Sequence, residues 1–126
     1  MKGSSIVLLD YARDLLNRLK ETAGGLWPRA CALICRQALE ASLDELWMAE
    51  EPEIAGCPRR AQFLCLGPII DNYPLAQQAY HAWWTLSRAC HQHPYELPPT
   101  EVELSLWLNN VESIILEIGR SAERDD

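Results

Sequence analysis

The sequence lacks any apolar run that approaches the roughly 20 residues of a membrane-spanning helix. Its first apolar run, residues 6–9, is shorter than the core of a secretory signal peptide. Hydrophobic residues make up 48% of the chain and charged residues 23%, a composition typical of folded proteins rather than disordered ones. We therefore expect a single soluble, cytoplasmic domain over residues 1–126.

Paired-cysteine motifs are also missing, because no Cys-x2-Cys sequence occurs among the five cysteines. An odd number of cysteines without a secretion signal predicts reduced thiols, and most of them lie among apolar neighbours, where cysteine packs as a small hydrophobic side chain. Cys90, His91 and His93, joined by His81 or by the helical pair Cys31 and Cys35, could bind zinc, but core packing is favoured for that pair. A Cys90–His91 nucleophile pair is disfavoured, since adjacent residues on a helix point in different directions.

Positive charge is scarce: 11 lysines and arginines stand against 18 aspartates and glutamates, which gives a net charge of −7. The whole surface therefore does not suit broad electrostatic capture of nucleic acid. Over residues 55–93, however, the only formal charges are Arg59, Arg60, Arg88 and Asp71. Any contact with RNA is expected to be local and to use a specific pocket. A glycine-rich phosphate loop and a paired-carboxylate metal motif are both missing.

Helical periodicity is present throughout, and no segment shows strand-like alternation over a useful length. The apolar spacing predicts a first helix that includes residues 8–19 and stops at Gly24-Gly25. A second helix opens at Trp27-Pro28, is apolar over a broad arc of residues 30–47, and ends at 50–52. A helix this apolar is expected at the centre of a bundle.

The next region is less regular. A short helix is predicted at about residues 59–66, broken by Gly67-Pro68. Another helix begins after Tyr73-Pro74 and should end near Gln92, because Pro94 disfavours helical geometry in the residue before it.

A final long helix is indicated by the capping box Thr100-x-x-Glu103, which is followed by a clean apolar stripe. Residues 121–126 are predicted to be a frayed, flexible acidic tail. The predicted fold is all-α: a four-helix up-down bundle plus one short helix.

The richest chemistry lies in the segment Arg88-Ala-Cys-His-Gln-His93-Pro-Tyr95. A guanidinium, an imidazole and a phenol this close together can perform general acid–base chemistry beside a phosphate without a metal. Arg88 and His93 would point roughly 140° apart on one continuous helix. They converge if the helix breaks at Pro94 or if a second copy of the chain completes the site. The alternative is that both are ordinary cations at a helix end, where they relieve the dipole.

The string Arg88-x4-His93-x-Tyr95 resembles the signature of HEPN domains, especially the toxin-like members whose motif reads Arg-x4-His-x-Tyr. The apolar second helix, Arg29–Trp47, and the capped final helix are also similar to that superfamily's pattern. The resemblance implies a helical bundle that forms a homodimer, with the two motifs facing each other across a two-fold axis. It implies RNA cleavage without metal or cofactor, and an antitoxin or nucleotidyltransferase partner in a toxin or defence system.

The resemblance also assigns roles to individual residues. Arg88 would hold the scissile phosphate and stabilise the charge that builds up on it. His93 would exchange protons with the ribose 2′-hydroxyl or the leaving oxygen. Tyr95, His91 and Ser87 would position the substrate, and no metal ligand is expected.

Two other hypotheses stay open: a non-catalytic HEPN-like module that binds a protein partner or a nucleotide, and a helical interaction protein unrelated to that family. The pair Trp83-Trp84 bears on both, because adjacent residues cannot share one helix face and one tryptophan should leave the core stripe. That side chain would pack against a neighbouring helix, contact a second subunit or stack on an RNA base. Arg36 and Glu40, four residues apart, predict a structural ion pair.

Overall fold

The computed structural model describes residues 3–19, 27–91 and 97–124, and within these ranges it contains helices and no strand. The all-α prediction is confirmed, and the helices pack into a bundle with one apolar core. None of the helices in these ranges has the length and apolar character needed to cross a membrane. The elements are α1 (Ser4–Leu19), α2 (Trp27–Glu50), a 3-10 turn (Pro52–Gly56), α3 (Arg59–Ile70), α4 (Tyr73–Cys90) and α5 (Glu101–Arg124).

Helix α2 lies at the centre of the bundle and packs against α1, α4 and α5. Its buried face extends from Cys31 to Trp47, both of which are 0% exposed. Full burial of a large apolar side chain such as Leu39 or Leu43 is worth about 1.5–3 kcal/mol. The predicted central position of this helix is confirmed, as are its start at Trp27 and its end at the Glu50-Glu51-Pro52 boundary.

A buried polar contact joins α2 to α3 and to the 3-10 turn. The indole Nε1 of Trp47 donates to Oε1 of Gln62 at 3.1 Å, and Gln62 is only 2% exposed. The Gln62 Nε2 atom lies within hydrogen-bonding distance of the carbonyl oxygens of Ile54, Ala55 and Cys57. Both polar side chains are thus satisfied inside the protein, which is the usual condition for burying them.

Helix α3 continues to Ile70, so the predicted break at Gly67-Pro68 is wrong. Pro68 cannot donate to the carbonyl of Leu64 one turn earlier, but Leu64 is 79% exposed, so water can replace that donor. The helix is capped by Asp71, whose backbone is left-handed with φ 51° and whose N–H donates to the carbonyl of Gly67.

Helix α4 begins at Tyr73, two residues before the start that the sequence predicts. The side-chain oxygen of Asn72 caps it by accepting a hydrogen bond from the N–H of Leu75 at 3.1 Å. The helix ends at Cys90, and His91 follows with extended backbone. Gln92, the predicted last residue, and the proline break after it lie outside the described residues.

Helix α5 extends beyond its predicted end. It runs to Arg124, so the structure is helical in residues 121–124, which the sequence analysis assigned to a frayed tail. The reason is packing: Ser121 is 5% exposed and Ala122 packs against the core, so these small residues extend the buried stripe by one turn.

The predicted capping box at the start of α5 is confirmed. The N–H of Thr100 donates to Oε1 of Glu103, and the N–H of Glu103 donates to Oγ1 of Thr100, both at 3.1 Å. These bonds satisfy backbone donors that the first turn of a helix otherwise leaves open.

Replacing Thr100 with alanine should therefore lower the free energy of unfolding by about 1 kcal/mol, because one half of the reciprocal cap is lost. The measurement is the midpoint of urea unfolding. Ser113→Ala, on the exposed face of the same helix, is the matched control and should leave the midpoint almost unchanged. Equal midpoints for the wild type and Thr100→Ala would contradict the capping role.

Candidate functional site

A groove of about 380 Å³ opens beside the last turns of α4, and we call it the basic–aromatic groove. Three of the five predicted site residues, Ser87, Arg88 and His91, line it together. The other two, His93 and Tyr95, lie outside the described residues. The groove is lined by Arg60, Trp83, Trp84, Ser87, Arg88 and His91.

Arg88 is an exposed residue whose guanidinium lies over the indole of Trp84, with Cζ 5.6 Å from the ring centroid. The two residues are four apart on α4, which places them on the same side of the helix. A cation–π contact at an exposed site stabilises this position of the guanidinium by about 0.5–1 kcal/mol. The prediction that one tryptophan leaves the core is confirmed: Trp84 is 46% exposed, whereas Trp83 packs against the core.

Trp83 connects the groove to a charge network behind it. Its Nε1 donates to Oε2 of Glu40 on α2 at 3.1 Å. Glu40 also lies 3.5 Å from Nε of Arg59 and 3.9 Å from Nε of Arg36, so the predicted Arg36–Glu40 ion pair is confirmed. Because two guanidinium groups lie beside this carboxylate, it does not place an uncompensated negative charge near the groove.

Arg29 holds the end of α4 from the first turn of α2, and the sequence analysis did not identify it. Its Nη1 donates to the carbonyl of His91 at 2.5 Å and reaches the carbonyl of Ala89 at 3.4 Å. The last carbonyls of a helix have no donors within the helix, and a cation there also interacts favourably with the dipole. The contact therefore fixes the point at which the chain leaves α4.

Replacing Arg29 with methionine, which keeps side-chain bulk but removes the donors, should loosen this end of α4. If the free energy of local opening at this helix end falls by about 1 kcal/mol, hydrogen exchange there becomes roughly fivefold faster. The measurement is exchange at the backbone amides of the last α4 turn, including the His91 N–H that donates to the Arg88 carbonyl. Arg120→Met, in an exposed ion pair on α5, is the control. Unchanged exchange in Arg29→Met would show that the contact does not restrain the helix end.

Arg60 lines the basic–aromatic groove, and the sequence analysis did not identify it as a site residue. It lies in the first turn of α3, and its Nε donates to the hydroxyl of Tyr80 at 3.4 Å. Two adjacent arginines at a helix N-terminus oppose the helix dipole, and this was the available sequence signal. Arg59, in contrast, pairs with Asp44: its Nη1 atom lies 2.6 Å from Oδ1 of the carboxylate. This hydrogen bond is the largest cause of a pKa of Arg59 above its ordinary value. Arg60 instead faces the groove.

The side chains of Ser87 and His91 differ in their accessibility to a ligand. His91 is exposed. The Oγ atom of Ser87 is buried and has no hydrogen-bond partner within the described part of the chain. A substrate-positioning role for this hydroxyl therefore requires a change of side-chain rotamer.

The buried cysteines are packing residues, as predicted. Burial raises the pKa of Cys31 to about 11 and that of Cys35 to about 12, so both thiols stay protonated at neutral pH. Burial also raises the pKa of Cys90, which packs against the core while its neighbour His91 is exposed, in agreement with the sequence argument against a Cys–His nucleophile. Across residues 3–19, 27–91 and 97–124, no three His, Cys, Asp or Glu residues cluster in a way that could hold a metal ion.

The basic–aromatic groove thus brings together the guanidinium groups of Arg60 and Arg88, the His91 imidazole and two indoles, with no carboxylate among the lining residues that the structure describes. Guanidinium groups bind phosphate oxygens through paired hydrogen bonds, and aromatic faces accept stacked bases. Comparisons of the chain with protein-family models, with curated proteins and with solved structures each find no match. The function is accordingly inferred from the groove and from the residue pattern that continues beyond it.

Proposed function

We propose that this protein is a HEPN-like, metal-independent RNA endonuclease that acts as a homodimer, with Arg88 and His93 as its catalytic residues. The observation that carries the proposal is the basic–aromatic groove, in which Arg88 lies beside Arg60, Trp84 and His91 at the end of α4. It is a local cationic surface on a chain of net charge −7. This supports recognition of one phosphodiester rather than general attraction to nucleic acid.

The proposed reaction is transesterification by the ribose itself. His93 removes the proton of the 2′-hydroxyl, and the resulting oxygen attacks the adjacent phosphorus. Arg88 donates hydrogen bonds to the phosphate oxygens as negative charge increases on them. The bond from phosphorus to the 5′ oxygen breaks, and that oxygen takes the proton that His93 accepted from the 2′-hydroxyl. The Arg88 and the His93 that act on one phosphate come from different subunits. The products are a 2′,3′-cyclic phosphate and a 5′-hydroxyl.

A second subunit is supported by apolar surface close to the groove. Trp84 is 46% exposed and Leu97 is 91% exposed, and both line a further groove of about 210 Å³ between α4 and the segment that leads into α5. Exposed aromatic and aliphatic side chains grouped in this way are typical of surfaces that another chain covers. Such a subunit would bring its own Arg88–Tyr95 segment to the same end of the bundle.

The test is cleavage of a labelled RNA by purified protein in excess EDTA. We expect fragments that end in 2′,3′-cyclic phosphate and 5′-hydroxyl, no cleavage of DNA of the same sequence, and loss of cleavage in His93→Ala. Sedimentation should show a dimer at assay concentration. RNA that is bound but left intact would overturn the enzyme proposal and favour the non-catalytic HEPN-like module. Growth arrest on expression of the wild type but not of His93→Ala would support a toxin role with an antitoxin or nucleotidyltransferase partner.

A further inference from the structure

A second, larger groove of about 670 Å³ runs between α3 and α4, and we call it the tyrosine groove. Its walls are mainly aromatic and aliphatic, and include Phe63, Leu64, Tyr73 and Tyr80. Leu64 is 79% exposed and Tyr73 is 60% exposed, so much of this apolar lining faces solvent. Its volume is within the usual range for ligand sites.

Arg60 lines both grooves and therefore lies at their junction. Its Nε donates to the hydroxyl of Tyr80, which holds the guanidinium beside the aromatic wall. A ligand that spans the junction meets a cation between two aromatic surfaces. The complementary molecule has an anionic group at Arg60 and a flat, largely apolar group in the tyrosine groove.

The Tyr73 ring is held in place by the backbone of α3. A Cβ atom on Gly67 would lie 2.7 Å from Cδ1 of Tyr73, so the ring packs directly against the glycine. Phe63 and Tyr80, which also line the groove, pack edge to face with ring centroids 5.7 Å apart. Polar groups that could pair with the edge of a base are present in Gln77 and His81, which also line the groove.

We infer that the tyrosine groove binds an unpaired base of the RNA strand whose phosphate lies at Arg60 and Arg88. The inference rests on the proposed function and extends it: the substrate is single-stranded RNA with an unstacked base next to the scissile phosphate. A nucleotide unit fits both grooves, because its phosphate meets the Arg60 guanidinium at their junction and its base stacks on tyrosine in the tyrosine groove. An apolar peptide would fill the tyrosine groove but would leave the cationic junction without an anion.

The test uses a fluorescent 2′-O-methyl RNA, which cannot be cleaved, and an abasic strand of equal length and charge. Tyr73→Ala should weaken binding of the base-bearing strand by about tenfold, because stacking on one aromatic ring is lost. It should not change binding of the abasic strand. Leu64→Glu, which puts a negative charge at an exposed position in the groove, should also weaken binding of the base-bearing strand. Tyr11→Ala, at an exposed tyrosine on α1, is the matched control and should bind as the wild type does.

Equal affinity of the wild type and Tyr73→Ala for the base-bearing strand would overturn the inference, and so would an equal loss on both strands. The two proposals fail in different ways. Tyr73-dependent binding without any cleavage of natural RNA would overturn only the enzyme proposal. Arg88-dependent cleavage that is indifferent to Tyr73 would overturn only the base-binding groove, while absence of RNA binding would overturn both.

Discussion

Replacing Arg88 with alanine is expected to lower kcat for RNA cleavage by about 100-fold or more, since one preorganised donor to a developing oxyanion is worth that much in other enzymes. The loss should appear mainly in kcat, because Arg60 stays in the groove and still binds the phosphate in the ground state. The measurement is single-turnover cleavage of labelled RNA over a range of enzyme concentrations. Arg88→Lys should recover only part of the rate, because an ammonium cannot donate the paired hydrogen bonds of a guanidinium.

The control for Arg88→Ala is Arg120→Ala, which also removes one exposed arginine and so causes the same change in net charge. Arg120 lies on α5 in an ion pair with Glu117, and it does not line the groove. Equal loss of activity in the two variants would mean that general charge attraction, and not the groove, governs cleavage. An Arg88→Ala enzyme as fast as the wild type would remove Arg88 from the catalytic residues.

The second large effect is expected at the centre of the core. Trp47→Ala should lower the free energy of unfolding by about 3–5 kcal/mol, because a fully buried indole leaves a cavity that the bundle cannot close. The substitution also removes the donor to Gln62, which connects α2 to α3. A loss of that size is a large part of the about 5–15 kcal/mol that typically stabilises a domain.

Urea unfolding followed by circular dichroism measures this effect. Met48→Ala, at the next position and 68% exposed, is the control and should change stability by no more than about 0.5 kcal/mol. A Trp47→Ala protein as stable as Met48→Ala would show that the core does not depend on α2 as described.

The helices that the sequence predicts best are those specified by local chemistry. The Thr100–Glu103 capping box depends on residues three apart in the chain, and the broad apolar arc of α2 directly reflects its central position. Such signals are complete within one or two helical turns. They do not require knowledge of the rest of the fold.

The errors in the fold have the opposite origin. Pro68 is tolerated in α3 because the carbonyl that loses its donor belongs to an exposed residue, and Ser121 extends α5 because the bundle covers it. Both facts depend on which side of a helix the rest of the protein covers. A reading of local propensity alone ends both helices too early.

The residues of the candidate site also divide into those that the local sequence predicts and those that depend on how the helices pack. Ser87, Arg88 and His91 are close in sequence, and their shared groove could be predicted from one helix end. Arg29 reaches the α4 terminus from a position about 60 residues away, and Arg60 reaches the groove from α3, so neither could be assigned before the helices were packed. The one available clue was the unfavourable placement of these arginines in the first turns of their helices.

The most direct test of the central claim, that two subunits share one catalytic site, is a mixed dimer of Arg88→Ala and His93→Ala subunits. Each variant alone should cleave RNA in EDTA at least about 100-fold more slowly than the wild type. A mixed dimer, isolated with two different affinity tags, retains one Arg88 and one His93, and it should cleave RNA well above the rate of either parent. Mixed dimers that stay as inactive as their parents would contradict the shared two-subunit site.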